Sequence, residues 1–189
     1  MVKIFDPQVV NPIIMGLIEE LITTQGGLVP TQPVELALKP IEEYEGHMRV
    51  NATEKFDVVV YIAAINFYFS KAEMQAHRAR GALILYMDTE VADKIFKAAG
   101  LQVPYDEDDE SMMALCGNLC QSIGNALKDR LAAAGFLSLE VTEPLVYKNS
   151  IAEGVVFSKE QEEKQEISFY FLKHKALVID WTMAPIPKK

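Results

Sequence analysis

Residues 110–126 read ESMMALCGNLCQSIGNA and carry the longest helical pattern of the chain. Apolar side chains recur every three or four residues, which is typical of an amphipathic helix packed on a core. These apolar positions are Leu115, Cys116, Leu119, Cys120, Ile123 and Leu127. The polar residues on the other side of the helical wheel are Asn118, Gln121, Asn125 and Lys128. An acidic run at 106–110 and a glycine at 135 mark the ends, so a helix is predicted over about 110–134.

A second amphipathic helix is predicted near the amino terminus. Asp6 is a suitable N-cap, and Gly26 with Gly27 would end the helix. The apolar side chains between them form two rows at helical spacing, Val9, Ile13, Leu17, Leu21 and Val10, Ile14, Ile18. An apolar stripe this broad requires a partner surface, most simply a sheet.

Strand patterns occupy much of the remaining chain. Residues 57–65 and 82–87 are almost entirely apolar, which favours buried strands, and 33–53 contain two further strands. Residues 66–80 are mixed and polar, and are interpreted as a long connection or a small insertion. The late strands are predicted near 138–147, 154–158, 166–173 and 175–182.

The order of the elements predicts the fold class. A helix is followed by strands, then by a helix at 88–100 and the long helix, and then by strands again. This order indicates an α+β fold with a mostly antiparallel sheet packed against long helices, rather than alternating βαβ units. The chain of 189 residues suits one domain, so 1–189 is predicted to be a single unit.

Composition excludes several classes of protein. Half of the residues are apolar, which is too high a fraction for disorder, and the formal net charge is −9. The acidic excess argues against binding to nucleic acid or to an anionic membrane surface. No apolar run is long enough to span a membrane, and the amino terminus has no secretory signal. Two cysteines are too few for a disulfide framework, so a cytoplasmic protein is expected.

Few residues suggest chemistry by type and spacing alone. Cys116 and Cys120 are four residues apart on one helix face, and either pack as small apolar residues or form a metal or redox pair. The acids at 106–110 suit a helix start, with Mg²⁺ binding as the alternative. The three histidines are far apart in the sequence and indicate no catalytic pair, namely His47, His77 and His174. No metal and no cofactor are therefore predicted.

The long helix resembles the signature helix of the CheC/CheX family of chemotaxis phosphatases. That helix carries Glu-x-x-Asn, followed in CheX-type members by Gly-Asn-Ala, which is matched here by Gly124, Asn125 and Ala126. A Gly-Phe pair at 135–136 matches the end of the family's helix, and an Asn-Pro pair at 11–12 matches the opening of its first helix. The resemblance spans most of the chain and implies a CheC-like fold.

The resemblance also implies an activity. Members of the family hydrolyse the aspartyl phosphate of a response regulator such as CheY. Water attacks the phosphorus in line, so catalysis consists mainly of positioning and charge stabilisation. In the family, the motif Asn orients this water and the motif Glu holds the regulator's active-site Lys. The implied partner is therefore a CheY-like receiver domain, and the family further implies a homodimer joined through sheet edges.

This sequence departs from the family at the motif itself. Counting back from Gly124 places the motif Glu at Gly117 and the motif Asn at Cys120. Glycine has no side chain to pair with a Lys, and a thiol is a weak donor and acceptor. Asn118 and Gln121 have the same spacing one residue further along, and a Gln is able to orient an attacking water. These two are the candidate catalytic residues, and the alternative is that they are merely solvated.

Three hypotheses about function follow. The first is a CheX/CheC-like binding or regulatory module in chemotaxis or two-component signalling that lacks the usual catalytic pair. The second is an active phosphatase of CheY-like regulators with an altered motif formed by Asn118 and Gln121. The third is a binding protein outside signalling that shares only the fold, since a fold does not determine a function.

Overall fold

The computed structural model describes residues 7–149 and 151–189. Its α-helices in these residues are α1 Pro7–Ile18, α2 Lys71–Gln75, α3 Ala92–Ala98 and α4 Asp109–Ala133. A π-helical segment, Glu19–Gln25, continues α1, and a 3-10 turn covers Ala52–Glu54. No helix in this part of the chain is both long and apolar enough to cross a membrane.

The strands are numbered in chain order. They are β1 Glu35–Pro40, β2 Glu43–Tyr44, β3 His47–Asn51, β4 Val60–Tyr68, β5 Gly81–Asp88, β6 Glu140–Val141, β7 Leu145–Lys148, β8 Ile151–Val155, β9 Glu163–Phe171 and β10 His174–Met183. The segment 33–53, predicted to hold two strands, therefore holds three. The extra strand, β2, has only two residues, which is too short to produce an alternating pattern.

The strands form two sheets. The larger has the order β1-β9-β10-β5-β4-β6, with β7 also pairing with β4, and the smaller has the order β2-β3-β8. Every strand pairing in the described residues is antiparallel. The predicted α+β class, with a mostly antiparallel sheet packed against long helices, is therefore confirmed.

The central strand β4 is buried along its whole length because both faces of the large sheet are covered. Successive side chains of a strand point to opposite faces. Tyr61, Ala63 and Ile65 contact the core shared with α1 and α4, whereas Ile62 and Ala64 belong to a second core beneath the small sheet. This double burial explains the uninterrupted apolar sequence of the strand.

The connection predicted over 66–80 is shorter than expected. β4 continues to Tyr68, because Asn66 and Phe67 still pair with β5, and α2 occupies part of what remains. The polar Asn66 is tolerated inside the sheet because its amide nitrogen donates hydrogen bonds to the carbonyl oxygens of Gly81, at 3.1 Å, and Val156, at 2.5 Å. The segment is therefore the link between two neighbouring strands and contains a short helix.

Helix α1 buries one of its two apolar rows completely. Val10, Ile14 and Ile18 are buried, whereas Ile13 is half-buried. The π-helical segment is capped by Gly26, and the following Gly27 has a φ of +74°, which favours glycine. The expected glycine stop is thus confirmed, and the proposed cap Asp6 lies outside the described residues.

Of the late strands, β9 and β10 lie inside the large sheet, whereas β6 and β7 pair only with β4 at one of its margins. β10 lies between β9 and β5, and β9 lies between β10 and β1. The other margin of the large sheet is β1, where Leu36 and Leu38 are 51% and 53% exposed. Pairing with a second copy at this margin would therefore involve β1 rather than β9 or β10.

Candidate functional site

The acidic run before α4 orients the start of the helix. Asp108 is the N-cap and accepts hydrogen bonds from the Ser111 amide, at 2.9 Å, and hydroxyl, at 2.7 Å, and these bonds lower the pKa of Asp108. Asp109 pairs with Lys148 and accepts a 3.0 Å hydrogen bond from the Tyr61 hydroxyl, and both contacts lower the pKa of Asp109. Burial and Asp109 raise the pKa of Tyr61 to about 12. These contacts fix α4 to β4 and β7 at its amino-terminal end.

The two thiols of α4 lie in the core. Cys116 and Cys120 have no exposed surface and form no disulfide. Burial raises the pKa of each thiol well above its usual value. The Cys120 sulfur contacts the Ala63 carbonyl oxygen of β4 at 3.6 Å. Both residues therefore pack as small apolar side chains, the first of the two interpretations drawn from the sequence.

The two positions counted as the family motif face the sheet. Gly117 and Cys120 are both buried. A Cβ atom on Gly117 would lie 2.9 Å from Cγ1 of Val146 and 3.1 Å from Cγ of Pro144, so any side chain there would displace β7 or the residue before it. Neither position presents a functional group to solvent.

The three residues of the Gly-Asn-Ala segment have different surroundings. A Cβ atom on Gly124 would lie 2.1 Å from Cδ1 of Ile65, so this glycine permits α4 to approach β4 closely. Asn125 is exposed, and Ala126 is half-buried. The glycine therefore has a packing role, while Asn125 belongs to the outer surface of the helix.

The candidate residues Asn118 and Gln121 lie on the outer side of α4. Asn118 is exposed and Gln121 is half-buried, and the exposed Ser122 and Asn125 continue the same surface. We call these four residues the polar face. Side chains three or four residues apart on a helix have Cβ atoms about 5–6 Å apart, so neighbours on this face are able to contact one ligand together. Amides and hydroxyls donate and accept hydrogen bonds without a charge.

A groove between α1 and α4 adjoins the polar face. It has a volume of about 330 Å³ and is lined by Leu17, Glu20, Leu21, Ser122, Ala126, Asp129 and Arg130. Leu17, Leu21 and Ala126 form its apolar floor. The Arg130 guanidinium donates a 2.5 Å hydrogen bond to the Glu20 carboxylate. Ser122 belongs to both surfaces, so the groove and the polar face form one continuous region.

The sequence alone did not indicate that the charged residues of this groove lie together. Glu20 belongs to the first helical segment and Arg130 to the last turns of α4, so only the tertiary packing of the two helices brings them together. One local signal was available for the α4 side of the groove. Ser122, Ala126 and Asp129 have spacings of four and three residues, which places them on one side of a helix.

A larger cavity than this groove lies beside the link between β4 and β5. It has a volume of about 440 Å³, and its basic lining residues are His47, His77, Arg78, Arg80 and Lys159. Two of these cations have partners, because Arg80 pairs with Glu73 at 3.3 Å and Lys159 pairs with Glu43 at 2.9 Å. The charge available to a ligand in this cavity is therefore small.

A cluster of charges is buried where the residue after the 3-10 turn meets β9 and β10 of the large sheet. Asp180 has no exposed surface and pairs with Lys55 at 3.0 Å and Lys164 at 2.8 Å, while Lys55 also pairs with Glu166. The Tyr86 hydroxyl donates to Asp180 at 3.2 Å. Two ammonium groups and two carboxylates balance, so the cluster has a structural explanation without a ligand.

Comparisons with known proteins identify the fold. No family model and no curated protein matches this chain. Among solved structures, a CheC-like superfamily protein from Shewanella sp. PV-4 is 16% identical, with a TM-score of 0.60 over 94% of this chain and 97% of that one. Chemotaxis protein CheX from Vibrio vulnificus is 14% identical, with a TM-score of 0.56 over 92% and 97%.

A third similar structure is a chain of the CheX–CheY–BeF₃–Mg²⁺ complex from Borrelia burgdorferi. It is 14% identical, with a TM-score of 0.50 over 97% of this chain and 99% of that one. At these identities the agreement is one of architecture. The chain therefore has the CheC-like fold of these CheC- and CheX-type chemotaxis proteins.

Proposed function

We propose that this chain acts as a single-domain module that binds a CheY-like receiver domain in chemotaxis or two-component signalling. The observation that carries the proposal is the polar face of α4 beside an open groove, on a fold whose structural neighbours include a CheX–CheY complex. We expect binding without the family's usual catalytic pair, because Gly117 and Cys120 are buried.

The chemistry of the region suits a protein partner. The polar face offers uncharged hydrogen-bonding groups, and the groove adds an apolar floor with Leu17 and Leu21 and a charged rim with Asp129 and Arg130. An apolar centre with a polar rim is the usual anatomy of a specific interface. Because receiver domains of this kind work in the cytoplasm, we expect the same location here.

A second candidate function is phosphatase activity with an altered motif. The observation that favours it is that Asn118 and Gln121 are accessible on one side of α4, whereas the motif positions are not. In this alternative Gln121 orients the attacking water and Asn118 contacts the regulator. A binding role outside signalling is the third candidate, and the same experiment separates all three.

The experiment measures binding to a panel of native receiver domains together with the decay of their aspartyl phosphates. We expect at least one receiver to bind, with its acyl-phosphate half-life unchanged. Faster decay that Gln121→Ala abolishes would establish the phosphatase. The matched control is Gln75→Ala, the same change at an exposed position on α2. Failure to bind any receiver would exclude both signalling roles.

We also propose that two copies associate through β1. Leu36 and Leu38 leave an apolar strip at the margin of the large sheet, and a strand at a margin retains unpaired backbone groups that a second copy is able to pair with. The proposal places the association at β1 rather than at the late strands β9 and β10, which have neighbours on both sides.

A further inference from the structure

Three potential metal ligands from two distant parts of the chain meet beside the end of β5. Asp88 is the last residue of β5, Glu90 follows it in the turn before α3, and His174 is the first residue of β10. One donor atom from each residue lies within 4.8 Å of the other two. None of these residues belongs to the polar face or the groove of α4.

Two of the three donor separations are near those of tetrahedral coordination, and the Asp88 and Glu90 oxygens lie within 4.8 Å of each other. His174 Nδ1 lies 3.2 Å from Asp88 Oδ2 and 3.8 Å from Glu90 Oε2. Zinc bonds of about 2.0–2.2 Å to nitrogen and oxygen, at the tetrahedral angle, place two donor atoms about 3.3–3.5 Å apart. The first pair is therefore already close to this separation, and the second needs to close by a few tenths of an ångström.

The side chains of Asp88 and His174 are held in place by the fold, whereas the Glu90 side chain is able to move. The Asp88 side chain is 3% exposed, and its Oδ1 accepts a 2.8 Å hydrogen bond from the Glu90 amide. His174 follows a two-residue hairpin turn in which Leu172 and Lys173 both have positive φ. The Glu90 side chain is 60% exposed, so its carboxylate is free to move towards an ion.

The chemistry of the donors selects the ion. Two carboxylates and a neutral imidazole balance the charge of a divalent cation. An imidazole nitrogen favours zinc and its transition-metal neighbours over Mg²⁺ and Ca²⁺, which prefer oxygen ligands only. His174 is 38% exposed, which leaves room for a water as a fourth ligand.

We propose that Asp88, Glu90 and His174 form a binding site for Zn²⁺ or a chemically similar divalent transition metal. The ion would join the end of β5 to the hairpin between β9 and β10. The site is independent of receiver binding, and either proposal stands if the other fails.

The test is a calorimetric titration of the full chain with Zn²⁺, together with the visible absorption of the Co²⁺ complex. We expect one ion per chain, no binding by His174→Ala, and binding by Glu90→Gln weakened by more than about tenfold, the loss that even an outer-shell partner causes. Neither variant removes a core side chain, and circular dichroism checks that each is folded. The matched control is His77→Ala, which removes an exposed imidazole elsewhere and should bind like the wild type.

Each other outcome overturns the proposal. The absence of Zn²⁺ binding by the wild type would show that Asp88 and His174 form an ion pair only. Equal binding by His174→Ala would place the ion at another site. Unchanged Zn²⁺ affinity of Glu90→Gln would show that Glu90 is not a ligand, and the proposed site needs all three ligands.

Discussion

Gly117 shows how a single residue decides what α4 is able to do. Its hydrogen side chain allows the helix to lie against Pro144 and Val146, so the surface that a longer side chain would need is occupied by the protein itself. The neighbouring Asn118 points outward and is exposed. Successive residues of a helix are rotated by about 100°, so Gly117 packs against the protein while Asn118 is accessible to a partner.

The close packing at Gly117 predicts that even one methyl group is costly. We expect the overlap of the added Cβ with Val146 in Gly117→Ala to cost about 1–3 kcal/mol of unfolding free energy, which the helix propensity of Ala offsets only in part. The matched control is Gly16→Ala in α1, where the nearest atom, Arg130 Nη1, is 3.7 Å from the new Cβ. That change should stabilise the protein by about 0.5–1 kcal/mol through helix propensity. Urea denaturation of both variants measures the difference, and a stable Gly117→Ala would contradict the packing.

The burial of Cys116 and Cys120 predicts that both thiols are unreactive in the folded protein. Burial raises their pKa values, so the nucleophilic thiolate is scarce at neutral pH. We expect slow reaction with a disulfide reagent under native conditions and fast reaction of both thiols in urea. Rapid native labelling would show that this part of α4 is open to solvent.

The sequence predicted the bounds of some elements better than those of others. α4 was predicted over 110–134 and found at Asp109–Ala133, because its cap, its apolar period and its terminal glycine all lie within the helix or next to it. β4 was displaced by three residues at each end, because pairing with β5 rather than its own composition sets its limits. The sequence of β1 does not reveal that the strand lies at a margin, because only the pairing of the strands in the folded sheet decides its position.

The margin formed by β1 leads to a prediction about association. If two copies pair along β1, Leu38→Lys should shift the protein towards the monomer by placing like charges on facing strands. The matched control is Leu145→Lys on β7, an exposed Leu near the opposite margin, which should leave the assembly unchanged. Analytical ultracentrifugation measures the result. A wild type that is monomeric at all concentrations would contradict the proposal, as would dissociation caused only by the control.

At the scale of the whole molecule, the buried cluster of Lys55, Lys164, Glu166 and Asp180 joins the end of the 3-10 turn to the large sheet. Lys55 lies just after the 3-10 turn, whereas its partners are on β9 and β10. Only the tertiary fold brings these charges together, so composition alone indicated nothing more than an acidic surface. The candidate site of α4 shows the same limit, because its groove exists only between two packed helices.

Removing one charged side chain of this cluster should destabilise the protein. We expect Lys55→Met to lower the free energy of unfolding by about 3–5 kcal/mol, because Asp180 and Glu166 would stay buried with less compensation. The matched control is Lys159→Met, which breaks a half-exposed pair with Glu43 and should change stability little. Chemical denaturation of both variants measures the effect, and similar losses in the two would contradict the role of burial.

The same cluster predicts a dependence on pH. Burial favours the neutral form of Glu166, but the hydrogen bond and charge of Lys55 outweigh it and hold the pKa of Glu166 below its ordinary value of 4.5. The ionised Glu166 therefore stabilises the fold above pH 4.5, and this contribution is lost as the pH falls through the lowered pKa. The difference between wild type and Lys55→Met should accordingly shrink below pH 4.5.

The most direct test of the central claim is a nuclear magnetic resonance titration of the ¹⁵N-labelled chain with a receiver domain activated by BeF₃ and Mg²⁺. We expect the shifting amide signals to belong to the polar face of α4, which is Asn118, Gln121, Ser122 and Asn125, and to the adjoining groove. Shifts of this chain's amides confined to β1, to the small sheet or to the basic cavity would contradict binding through α4.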